Sequence, residues 1–129
     1  MDSSDRRSYL DVISHRIIGC AHRVSNSLGS GFLEKVYENA LALELREEGL
    51  EVQQQHQIKV VYRQVAVGTF SGDLLVQNCI LVELKAAKAL NGLHVAQCMN
   101  YLKATGLCVC LLMNFGTNRI IIRRVVLGF

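Results

Sequence analysis

The chain has 129 residues, half of them hydrophobic, and 14 Lys and Arg against 11 Asp and Glu give a formal net charge of +3. That length suits one domain around one core, and the composition excludes a disordered or low-complexity chain. So small a positive excess permits nucleic-acid binding without arguing for it, and no apolar run approaches the ~20 residues that would span a bilayer. Five cysteines, an odd number, follow the polar start Met1-Asp2-Ser3-Ser4-Asp5-Arg6-Arg7. Together they predict reduced thiols in a soluble cytoplasmic protein, with residues 1–8 flexible.

Residues 9–28 show helical spacing, with Tyr9, Val12, Ile13, Arg16, Ile17 and Cys20 at steps of three and four. Residues 26–31 break that helix, because their glycines can take positive φ. A second helix is predicted over 32–48, with Leu33, Val36, Tyr37, Ala40, Leu41 and Leu45 as its apolar stripe and Gly49 closing it. The period then falls to two. Residues 52–62 and 65–76 read as strands, and 79–85 as the hairpin partner of the second. Asn91-Gly92 turns into a third helix over 93–105, capped by Gly106. Residues 107–114 form a continuous apolar run, as a central strand does, and 120–126 a last strand. The order α-α-β-β-β-α-β-β, in one domain over 1–129, is a mixed α/β fold.

Asp73, Glu83 and Lys85 interrupt a hairpin that is otherwise almost wholly Leu, Val and Ile. Charges in such a strand are costly unless they are paired or bind a metal. Asp73, Glu83 and the backbone carbonyl of Leu84 are oxygen donors of the kind magnesium takes. Glu83 and Lys85, two apart, share a strand face, so the lysine can stand beside a water and a phosphate. A three-residue hairpin loop, Gln77 to Cys79, pairs the acids directly, and a bulge or a bend near Gly72 achieves the same; a plain two-residue loop puts Glu83 on the wrong side. The alternative is an ordinary surface ion pair of Lys85 with either acid on an edge strand.

Further motifs accompany this set. Gly31-Phe32-Leu33-Glu34-Lys35-Val36-Tyr37 reads G-x-x-E-x-x-Y, and Gln97-Cys98-Met99-Asn100-Tyr101 reads Q-x-x-x-Y. With Asp73 and Glu83-Leu84-Lys85 between them, the chain resembles the GxxExxY protein family of the PD-(D/E)XK nuclease superfamily. Ser71-Gly72 stand where members commonly carry Arg and Ala, and Ser30 where a proline is usual. The resemblance implies a restriction-endonuclease-like core, a mixed central sheet flanked by helices. It implies that Asp73 and Glu83 bind the metal, that Lys85 is the catalytic lysine, and that Glu34 is an additional metal-reaching acid. Gln97 would orient the lysine or a phosphate, and Tyr101 would pack or contact substrate. Glu38, one turn past Glu34, is expected on its face.

Tyr37 reads as a core or supporting residue, and His94 as a group close enough in sequence to Gln97 to approach substrate. Cys108 and Cys110 share a face in the predicted strand and read as small buried hydrophobes. His15 and His22 read as a helix face, and Arg119, Arg123, Arg124, Lys103 and Lys88 as scattered surface charge or a basic rim. Two functions follow. The first is a nuclease using magnesium, with manganese as a substitute, on nucleic acid, DNA favoured. The second is a catalytically silent binding or assembly module on the same fold, working as a homodimer or within a larger complex, with the apolar tail 125–129 at its interface.

Overall fold

The computed structural model describes residues 2–128. Met1 and Phe129, which belong to the predicted flexible start and apolar tail, lie outside the described residues. The elements are α1 (Ser3–Leu28), α2 (Glu34–Glu47), β1 (Val52–Tyr62), β2 (Val65–Val76), β3 (Ile80–Lys85), α3 (Gly92–Thr105), β4 (Val109–Asn114) and β5 (Ile121–Val126). The strands form one mixed sheet in the order β1-β2-β3-β4-β5. The β3–β4 pair is parallel, with α3 as its crossover, and the other three pairs are antiparallel. Among the described residues no helix is long and apolar enough to cross a membrane.

Alternation along the strands divides the core in two. Ile80, Val82 and Leu84 of β3 and Val109, Leu111 and Met113 of β4 pack against Ile13 and Ile17 of α1 and Leu41 and Leu45 of α2. Leu81, Cys110 and Leu112 face the other way, onto Cys98 and Leu102 of α3. By the same alternation Glu83 and Lys85 belong to the α3 face.

Three details differ from the sequence-based expectation. Residues 3–8 are helical: α1 begins at Ser3 because the Asp2 side chain caps it, accepting from the Asp5 N–H at 2.9 Å. Cys108 and Cys110 face opposite sides of the sheet, since Cys108 precedes the strand and is outside its alternation. And the β1–β2 pair does not hold one face. Val52 packs with the α1–α2 core and Ile58 with the α3 core, although an even separation should keep them together. Gln55, between them, has φ +54°, a left-handed conformation that a non-glycine residue takes only when its surroundings enforce it. Beyond it β1 and β2 form a long two-stranded arm whose residues 59–69 are exposed.

Candidate active site

The site lies where the sheet forks. β2 and β3 pair only through Leu74–Val82, Leu75–Leu81 and Val76–Ile80, and β2 then leaves with β1 into the arm. The loop between them is Gln77, Asn78 and Cys79, the three-residue form, with Gln77 and Asn78 at positive φ and the Cys79 N–H bonded to the Val76 carbonyl at 3.0 Å. One step past the last ladder pair stand Asp73 and Glu83. Each carboxylate takes up a backbone N–H that the fork exposes. Asp73 Oδ2 accepts from the Leu84 N–H at 2.8 Å, and Glu83 Oε1 accepts from the Asp73 N–H at 3.1 Å. Gly72 lies beside the pair: a Cβ there would come to 3.4 Å from Glu83 Oε1 and 3.3 Å from Ile58 Cδ1.

The electrostatics are those of two acids crowded in a dry place. Burial, then the Asp73 charge, pushes the Glu83 carboxyl up to about 9. Burial also raises Asp73, against the hydrogen bonds from Leu84 and Gln55 that favour its charged form. Lys85 is half-buried, and its charge favours ionisation of both acids. Among the described residues no acid lies within ion-pair distance of its ammonium. Glu83 is 5% exposed in an interior strand, so the edge-strand ion-pair alternative does not describe it. Behind Lys85 the chain is clamped by Asn114, fully buried at the end of β4. Its amide accepts from the Ala87 N–H and donates to the Ala87 carbonyl, both at 3.0 Å.

A second acid network adjoins the first. Gln55 donates to Asp73 Oδ1 at 3.4 Å and to Glu38 Oε1 at 2.5 Å. Glu38, 3% exposed on α2, also accepts from Gln54 at 2.8 Å and pairs with Lys35 at 3.0 Å. Glu38 is thus the α2 acid tied to Asp73. Glu34 is exposed at the first position of α2, beside a small cavity lined by Ala86, Ala87 and Lys88. Among the described residues no hydrogen bond ties it to the acids. From α3, Tyr101 stacks on Phe70 with ring centroids 4.2 Å apart. Its phenol is pushed up to about 12, first by burial and then by the Glu83 charge, which brings it into the field of the acids. Gln97 is half-buried one turn before it.

Two candidates serve the scaffold. His94 accepts from the Asn91 N–H at 3.3 Å in the capping box that starts α3. Tyr37 is fully buried, donates its hydroxyl to the Gly29 carbonyl at 2.6 Å and stacks on Phe115, bracing the glycine turn. Cys98 and Cys110 are buried on the same face of the sheet as Glu83. Sequence reasoning missed Gln55 and Asn114. The Gln53-Gln54-Gln55 run in a strand, and an amide ending the apolar β4 run, were their signals.

The donor set fits a hard divalent cation. Glu83 uses one oxygen on a strand N–H and Asp73 one on a strand N–H and one on the long 3.4 Å contact from Gln55, which leaves lone pairs on both acids for a cation, and the Leu84 carbonyl lies in the same stretch. Among the described residues no three of His, Cys, Asp and Glu are grouped to hold an ion. Two acids with waters and substrate oxygens completing the shell is the usual pattern for magnesium.

A mixed sheet that parts over two acids, with a lysine two residues on, defines a restriction-endonuclease-like core. The profile of the PD-(D/E)XK nuclease superfamily matches residues 11–125, and the chain belongs to that superfamily. Among solved structures it is similar to the crystal structure of SSO0001, at 16% identity and a TM-score of 0.57 over 74% of this chain and 50% of that one. It thus spans half the length of SSO0001. It is also similar to an alkaline exonuclease, LHK-Exo, from Laribacter hongkongensis, at 15% identity and a TM-score of 0.51 over 84% of this chain and 76% of that one. At such identities the likeness is one of fold. No curated protein matches the chain.

Proposed function

We propose that this protein is a magnesium-dependent nuclease that hydrolyses phosphodiester bonds of nucleic acid, with DNA as the favoured substrate and manganese as a competent substitute. The observation that carries the reading is the reciprocal latch at the fork, which holds Asp73 and Glu83 side by side in a buried setting. A divalent ion there supplies the charge that lowers the pKa of a bound water and offsets that of the phosphate. Asp73, Glu83 and the Leu84 carbonyl are its ligands. Lys85 donates to the water or to a phosphate oxygen, and the Asn114 clamp fixes where that amine leaves the sheet. Glu38 acts through Gln55 to set the Asp73 carboxylate. Gln97 on α3 has the role of orienting the lysine or a phosphate. Such a site works by positioning and electrostatics.

The test is calorimetric titration with magnesium and manganese, paired with cleavage of single- and double-stranded DNA. Asp73→Ala and Glu83→Ala are expected to lose metal uptake and cleavage together. Lys85→Ala is expected to keep metal uptake and lose turnover, by the 10²-fold or more typical of a positioned proton-transfer or charge-stabilising group. Binding of nucleic acid that persists unchanged in all three variants, with no metal uptake in the parent, would replace this reading with the silent module.

A further inference from the structure

The arm and α3 enclose a groove. Val61 and Ala104 border two depressions along it. One, of about 480 Å³, has Phe70, Tyr101, Val60, Asn100 and Lys103 on its walls. The other, of about 500 Å³, continues past Lys59 and Thr105.

Three observations converge on its occupant. The Phe70 and Tyr101 rings are stacked, with an interplanar angle of 22°, and both line the first depression, so they offer it aromatic surface. Of the residues that line the two depressions, Lys59 and Lys103 carry charge and none is Asp or Glu. A groove with cations and no acid along its walls complements a polyanion. And the aromatic pair stands near the acids along β2: Phe70 precedes Asp73 by three residues, ~10 Å of strand.

We infer that this groove binds an unpaired nucleic-acid strand, with one base against the Phe70–Tyr101 pair and Lys59 and Lys103 on the flanking phosphates. In a duplex each base face is covered by its neighbours, so an aromatic platform in a recess takes a base only from an unpaired strand or end. Val60 and Val61 supply apolar walls, and the Asn100 amide offers a donor and an acceptor to the base edge. What then happens to the strand rests on the nuclease reading of the acids; the binding does not.

The experiment is fluorescence anisotropy in EDTA, so that no cleavage intervenes, with a labelled oligothymidine of about 15 nucleotides and a duplex of the same length as probes. The single strand is expected to bind more tightly. Phe70→Leu, which keeps the packing volume, should weaken it by at least about fivefold, the lower end of the cost of one lost stack. Lys59→Ala with Lys103→Ala, both on exposed positions, should reduce the slope of log K against log salt by about 1.4, at ~0.7 per phosphate contact. Equal or tighter duplex binding, or indifference to the lysine pair, overturns the inference. Strand-selective binding without magnesium-dependent cleavage leaves it standing and removes the nuclease reading. Cleavage of duplex without strand selectivity does the reverse.

Discussion

The Glu83 carboxyl gives the fold a pH dependence of definite sign. Its pKa is lifted from 4.5 to about 9, first by burial and then by Asp73. In the unfolded chain it titrates as an ordinary glutamate. Between those values the folded state holds a proton that the unfolded state has released, so rising pH favours unfolding. The stability linked to this proton is fully present below about 4.5 and is lost as pH rises through about 9. At ~1.36 kcal/mol per pKa unit, the shift corresponds to at most about 6 kcal/mol, a large share of the 5–15 kcal/mol typical of a domain. The assay is urea denaturation of the metal-free protein in EDTA across pH 5 to 8.5, followed by circular dichroism. Stability should fall by up to ~1.4 kcal/mol per pH unit relative to Glu83→Gln, whose amide oxygen can still accept the Asp73 N–H. Asp73, also raised by burial, contributes with the same sign in both proteins, so the difference between the profiles isolates Glu83. Parallel profiles would refute the reasoning, for they would mean that Glu83 is ionised in the folded protein.

Two further substitutions test the supports of the site. Gly72→Ala brings a methyl to 3.3 Å from Ile58 Cδ1, so that flexible side chain must give by a few tenths of an ångström, and only to ordinary contact, 3.4 Å, with Glu83 Oε1. Denaturation should show a loss of no more than the ~1 kcal/mol end of overpacking costs, with metal affinity by calorimetry little changed. Asn114→Ala removes the partner of the half-buried Ala87 N–H and carbonyl. At the low end of the ~1–3 kcal/mol for each unsatisfied group, a loss of about 2 kcal/mol is expected in the same assay.

Much of this was legible because strand alternation and charge placement are local signals. The bounds of β1 and β2 follow from where alternation starts and stops, and the three-residue hairpin loop follows from the need to bring Asp73 and Glu83 together. The first turns of α1 were not legible, since residues 3–8 are polar and show no apolar period; a side-chain cap organises them. The choice of Glu38 over Glu34 as the acid tied to Asp73 turns on one helical turn and on where α2 begins, which spacing alone does not fix. Gln55 was hidden for a different reason. Its left-handed backbone is imposed by the strands around it, so no propensity of glutamine announces it. The same break moves Ile58 and Phe70 to the α3 face, and with them the aromatic pair that Tyr101 completes.

The fork also separates two kinds of change. The ladder on its sheet side fixes the acids, whereas beyond Lys59–Thr69 the arm's registered pairs join β1 to β2 alone. Residues 60–68 can therefore be lengthened, trimmed or rewritten with little tug on Asp73 and Glu83. The arm and the acid pair are adjustable apart, like interchangeable jaws on a fixed pivot.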